Sequence, residues 1–365
     1  MEDGKRRQVK KTFTTRKEAE AELLKMLAEA QNGYVPAELL AVSEYLDRYL
    51  EAVGPKLKPG SFRNSKAAVG FWKGIIGKIP LGKVTPMEVQ SAIPKLPSFW
   101  SAATKRNTIA ILRAALRQAV KWELIPRDPG VGVIYPNAAK KEMKVWTKED
   151  AAKFLSVAGK ETRVHALFHL ALATGMRQGE LLALRWEDVD LQTGTVAVRR
   201  SLFRDNGDRD CIFQEPKTAF SRRKIPLDIE TVKKIKSHRK SQLEERLAAG
   251  SEWNEYGLLF CTRKGEPLRG TYLRKALSMV TRKAGVPVIR FHDLRHTHAT
   301  LLLQAGVHLK VVSERLGHAN TNITLSVYSH VLPDMQEAAV KAIEGMFVAA
   351  TRTESRRNPV FMRVL

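Results

Sequence analysis

The chain has 365 residues, a formal net charge of +24 at pH 7, and a composition 44% hydrophobic and 27% charged. That is a globular composition with length enough for two domains, and so large a positive surplus points to a polyanionic partner, nucleic acid first. Cys211 and Cys261 stand in no ligand spacing, which argues against a disulfide framework; no apolar run approaches the ~20 residues of a membrane span, and no apolar stretch of a signal peptide opens the chain, so a cytoplasmic protein is expected.

In chain order, residues 5–17 form a basic run: Lys5, Arg6, Arg7, Lys10, Lys11, Arg16 and Lys17. Thr12-Phe13-Thr14 reads as the end of a strand. Thr15 caps a following helix, with Glu18 completing a capping box, and Asn32-Gly33 marks a stop. Residues 37–126 read as an all-helical unit with fourteen basic and six acidic residues. Its last helix, about 104–122, sets Ile109, Leu112, Leu116 and Ala119 on one face. Arg106, Arg113, Arg117 and Lys121 line another, a stripe that suits phosphates or, more simply, a solvated surface.

Residues 127–146 carry Pro129, Gly130, Gly132 and Pro136 and then three lysines, a linker composition. Thr147-Lys-Glu-Asp150 caps the first helix of a second domain. Helices are expected to about residue 186, then two or three strands within 195–227, then helices to about 347. The strands are Thr195–Val198, Asp210–Phe213 and Lys224–Leu227. After Pro333, Met335, Ala339, Ala342, Ile343 and Met346 form a helical apolar stripe.

Cutting a phosphodiester without a metal needs fixed cations beside the non-bridging oxygens, a nucleophile for phosphorus and a proton donor for the leaving oxygen. Arginine suits the first task, since its planar fork meets two oxygens and stays charged. The second domain holds such parts. Arg177 follows Gly175 in Ala173-Thr-Gly-Met-Arg177-Gln-Gly-Glu180. Lys217 sits in a turn between strands. His292 and Arg295 are one helical turn apart. His318 follows Gly317, and Tyr328 comes ten residues later. Taken singly, each has a plain reading: a solvated arginine, a turn lysine, a capping histidine, a core tyrosine. His292, His296 and His298 invite a zinc reading, but no third-ligand pattern accompanies them, and no metal is expected. His165 and His169 read as packed or surface histidines.

Together, in this order, the six positions resemble the tyrosine recombinases, in particular the integrases of temperate phages and conjugative transposons. The resemblance covers about 37–346 and is strongest over 147–330. It implies a mainly α fold with a small antiparallel β-sheet, in two lobes that clamp duplex DNA: a helical core-binding domain at 37–126, the linker, and an α+β catalytic domain at 147–346 followed by a tail to 365. It implies that Tyr328 attacks the scissile phosphate to form a 3′-phosphotyrosyl bond. Arg177 and Arg295 would hold the non-bridging oxygens, Lys217 would protonate the leaving 5′ oxygen, and His292 and His318 would assist. Glu180 would sit behind Arg177 and orient it. Neither ATP nor any other cofactor is implied.

The implied partners are double-stranded DNA at specific attachment sites, further copies of the chain in a tetrameric synapse, an excision factor and a host DNA-bending protein, with no membrane. Residues 1–33 resemble only the end of an arm-binding domain and are expected to act as a basic extension or the remainder of a longer module. Two other functions share parts of the pattern. A type IB topoisomerase uses the same nucleophile without exchanging partners, and a basic helical repressor would bind DNA without a covalent adduct.

Overall fold

A computed structural model describes residues 40–137, 143–204, 211–215 and 222–328, with 11–16, 18, 19, 23, 340 and 343 near the ends. The chain divides into two compact units, 1–140 and 141–365, and the expected linker spans that division.

The first unit holds α1 (Val42–Val53), α2 (Pro59–Ile76), α3 (Pro86–Ala92) and α4 (Ala102–Lys121). Proline opens α2 and α3, where its missing N–H is not needed. Ser101 caps α4 by accepting from the Thr104 N–H at 3.1 Å. The expected stripe of α4 is the core: Ile109, Leu112, Leu116 and Ala119 are buried against Tyr45, Trp72 and Ile76. The Trp72 indole N–H is satisfied by the carbonyl of Thr108 at 2.9 Å.

The opposite face of α4 is less open than its sequence suggests. Arg106 lies over the ring of Tyr135, 5.9 Å from its centroid. Arg113 and Arg117 both approach Asp128, at 3.8 and 3.7 Å. Near the N-terminus, Thr15 Oγ accepts from the Glu18 N–H at 3.3 Å, but the Glu18 carboxylate accepts from Thr14 Oγ, so the expected capping box closes by one residue's offset.

The second unit begins with α5 (Lys148–Glu161), α6 (His165–Thr174) and α7 (Gln178–Leu182). The capping box Thr147–Asp150 is present with both bonds. Five strands follow where two or three were expected: β1 (Val189–Asp190), β2 (Thr195–Val198), β3 (Ser201–Arg204), β4 (Cys211–Gln214) and β5 (Arg223–Pro226). They make two antiparallel sheets, β1-β2-β5 and β3-β4, rather than one. β2 pairs with β5 through Thr195↔Pro226 and Val198↔Arg223, and β3 pairs with β4 through Ser201↔Gln214 and Arg204↔Cys211.

The helices α8 (Ile229–Ala249), α9 (Gly270–Ala284), α10 (Asp293–Gln304), α11 (Leu309–Leu316) and α12 (Thr321–Tyr328) complete the described unit. Its core is an aromatic run, Trp146 on Phe154 on Phe168 on Phe291, with ring centroids 4.6, 5.3 and 6.2 Å apart. A smaller cluster joins Ala299, Leu303, Val312, Leu316 and Tyr328 across α10, α11 and α12. The expected apolar stripe beyond Pro333 lies outside the described residues, apart from Ile343, which is half-exposed.

Candidate active site

Arg177 stands at the junction of α6 and α7. Gly175 ends α6 at φ +63°, and a β-carbon there would sit 2.6 Å from the His298 ring and 2.8 Å from Leu316. Only glycine makes that turn and admits that approach. The Arg177 side chain then reaches Glu180 Oε1 from Nη1 (2.8 Å) and the Gly317 carbonyl from Nη2 (3.4 Å). Glu180 is 3% exposed and accepts twice more, both at Oε2: from the Arg177 N–H (3.0 Å) and from Arg223 Nη2 (2.9 Å). Burial pushes the Glu180 carboxyl up, but Arg223 and Arg177 outweigh it and hold the carboxyl below its ordinary value.

Arg295 lies in the first turn of α10 and is 4% exposed. Nη1 donates to the Gly175 carbonyl at 2.8 Å, while Nη2 is buried without a hydrogen-bond partner. Burial and the neighbouring Arg177 push this guanidinium down to about 9, still far enough above neutrality to keep its charge. A buried cation with an idle donor is costly unless an anion meets it.

His292 occupies the N-cap position of α10, and His318 follows the left-handed Gly317 that ends α11, with Nδ1 2.7 Å from Thr324 Oγ. Burial lowers both histidines, with Arg295 adding to it, and His318 falls to about 4. Lys217 lies outside the described residues.

Tyr328 ends α12 and is 1% exposed. Its hydroxyl shares a 2.8 Å hydrogen bond with His296 Nδ1. Burial raises the phenol to about 12, although Arg295 pulls the other way. In this position the hydroxyl is enclosed. The structure thus brings Arg177, Glu180, His292, Arg295, His318 and Tyr328 into one neighbourhood. It adds two residues to which the sequence reading gave no role there, His296 and Arg223.

His296, His298 and His318 are each pushed to about 4, chiefly by burial, from an ordinary 6.5. Between those values the unfolded chain binds protons that the folded chain refuses. Their contribution to stability is therefore full above pH 6.5 and is lost as pH falls toward 4. The melting temperature is expected to fall across that window, with a shallower fall in His298→Gln. A melting temperature that holds or rises on acidification would contradict these environments.

A model described as the phage integrase family matches residues 144–335. The chain belongs to that family. A tyrosine recombinase XerC-like protein of Caldanaerobacter subterraneus subsp. tengcongensis is 32% identical over 358 residues, covering 92% of this chain and 90% of its own length. The ICEBs1 integrase of Bacillus subtilis is 26% identical and covers 94% of each chain. In fold, the chain is similar to the Tn1549 transposon integrase solved with a circular intermediate DNA: TM-score 0.70 at 20% identity, over 83% of this chain and 99% of that one. This integrase-family chain is accordingly a tyrosine-type site-specific DNA recombinase, mainly α with small antiparallel sheets, acting through a phosphotyrosyl intermediate.

Proposed function

We propose that Tyr328 is the nucleophile and that Arg177 and Arg295 hold the non-bridging oxygens of the scissile phosphate. The observation that carries this reading is Arg295: a buried guanidinium, fixed at one end by the Gly175 carbonyl, with its other donor idle. Negative charge grows on the phosphate oxygens as the phenol attacks, so fixed cations stabilise the transition state more than the ground state. The Tyr328 oxygen bonds to phosphorus, its proton passing to the His292–His318 pair, the bond to the 5′ oxygen breaks, and Lys217 supplies a proton to the leaving oxygen. His292 and His318 hydrogen-bond the phosphate. A 5′ hydroxyl from a second duplex then attacks the phosphotyrosine and restores the phenol. The covalent link conserves the bond, so no ATP is consumed.

The substrate is duplex DNA at attachment sites of a mobile element, a reading supported by relatives such as the Tn1549 integrase bound to circular intermediate DNA. Residues 37–126 act as the core-binding domain and 147–346 as the catalytic domain, joined by the linker 127–146. Arg106 and Lys121 face phosphates from α4, and Arg113 and Arg117 join them where DNA draws them from Asp128. The C-terminal segment after Pro333 joins copies into a tetrameric synapse. An excision factor and a DNA-bending protein set the direction of exchange. Dependence of product on two sites separates this reading from relaxation of supercoils by a topoisomerase.

Because arginines supply the positive charge, cleavage of a nicked duplex is expected to persist in excess EDTA at its full rate. Loss on chelation, restored by a divalent ion, would overturn the assignment of the charge work to Arg177 and Arg295.

A further inference from the structure

Arg223 has no part in the chemistry described above, yet its side chain is only 7% exposed and three elements meet on it. Nη2 donates to Glu180 Oε2 at 2.9 Å, and the same carboxylate holds Arg177 through Oε1. Nε donates to the carbonyl of Arg315 at 2.6 Å, in the last turn of α11. Nη1 lies where a β-carbon on Gly317 would come within 2.8 Å, so the guanidinium passes directly beneath the glycine before His318. The carbonyl of that glycine accepts from Arg177 Nη2. Arg223 also opens β5, six residues after Lys217. A planar fork with donors along two edges can serve all these partners at once, which a lysine ammonium cannot.

We infer that Arg223 is a positioning residue for DNA cleavage, locking the Arg177–Glu180 pair to the turn that carries His318. The inference rests on Arg177 and His318 being phosphate ligands. It assigns Arg223 to the chemical step rather than to DNA affinity. At metal sites, removing an outer partner that orients a ligand costs roughly 10- to 100-fold, and a loss on that scale is expected here.

The role also has a signature in pH. Glu180 is buried, and Arg223 and then Arg177 are the cations that keep it ionised. The other charged or titratable groups facing this cluster are Arg295 and His298 from α10 and His318 from the turn after α11. The histidines stay neutral near pH 7, so removing Arg223 takes away the strongest counter-charge and lets Glu180 take up a proton at higher pH.

The test is single-turnover cleavage of a nicked duplex spanning an end of the mobile element that encodes the chain. It is run at saturating protein across pH, with Kd measured separately. Arg223→Met should cut the saturating rate by roughly 10- to 100-fold, shift Kd by less than about threefold, and move the acid limb of the profile toward neutrality. Arg223→Lys should restore the position of the acid limb but not the full rate, since it keeps a cation by Glu180 and loses the bond to Arg315. In a Glu180→Gln background, Arg223→Met should move no limb. A wild-type saturating rate and profile in folded Arg223→Met, or a loss residing wholly in Kd, would overturn the inference. If the methionine variant does not fold, the lysine variant decides: a full wild-type rate there overturns it. Arg177→Ala is measured alongside. Normal cleavage in that variant would sink the reading of Arg177 as a phosphate ligand, an outcome distinct from any result at Arg223.

Discussion

Arg295→Ala is expected to slow cleavage by roughly 10³-fold or more, about 4 kcal/mol of transition-state stabilisation, while leaving DNA binding nearly intact. The expectation follows from how the guanidinium is held. Its Nη1 is fixed by the Gly175 carbonyl, and Nη2 is buried without a hydrogen-bond partner. Burial and Arg177 together make the charge costly enough to bring it down to about 9. A phosphate relieves that cost on binding, and relieves it further as its oxygens gain charge during attack. The many other basic residues of a +24 chain carry most of the affinity, so binding changes little. Arg295→Lys should fall between, since lysine keeps a charge but cannot hold the Gly175 carbonyl and reach an oxygen together. Single-turnover rates at saturating protein decide. A rate within about tenfold of wild type for the alanine variant would remove Arg295 from the chemistry.

Tyr328→Phe should abolish the covalent adduct altogether while leaving a folded, DNA-binding protein. The ring is enclosed by Ala299, Leu303, Val312 and Leu316, and phenylalanine keeps that packing. What is lost is the hydroxyl and its bond to His296, worth about 1 kcal/mol of stability. No other tyrosine lies on α10, α11 or α12 to take its place. A denaturant-resistant protein–DNA species formed by Tyr328→Phe would dismiss the residue as nucleophile.

Much of this was legible in the sequence because it depends on local rules. The core stripe of α4 follows helical period, and the start of α5 follows a capping box. The ordered run of arginines, histidines and tyrosine carried the family resemblance, because each member sits at a recognisable break: Gly175 before Arg177, Gly317 before His318. What escaped was set by long-range packing. Ser201–Arg204 is too short and polar to announce a strand, and exists because Arg204 and Ser201 pair with Cys211 and Gln214. The basic stripe of α4 gave no sign that Asp128, beyond the helix, stands beside Arg113 and Arg117. His296 looked like one histidine among three, and its partner Tyr328 is thirty-two residues away. Arg223 hid inside Arg222-Arg223-Lys224. Strand alternation was the available signal, since Arg223 shares the face of buried Ile225 while Lys224 and Pro226 are exposed.

The most direct measurement is to trap the wild-type chain on a nicked duplex, digest with trypsin and identify the peptide that carries nucleotide. Cleavage after Arg315 and Lys341 releases residues 316–341, in which Tyr328 is the sole tyrosine. The expected result is that peptide bearing a 3′-linked nucleotide on the Tyr328 oxygen. A nucleotide on any other residue, or cleavage with no linked peptide at all, would contradict it.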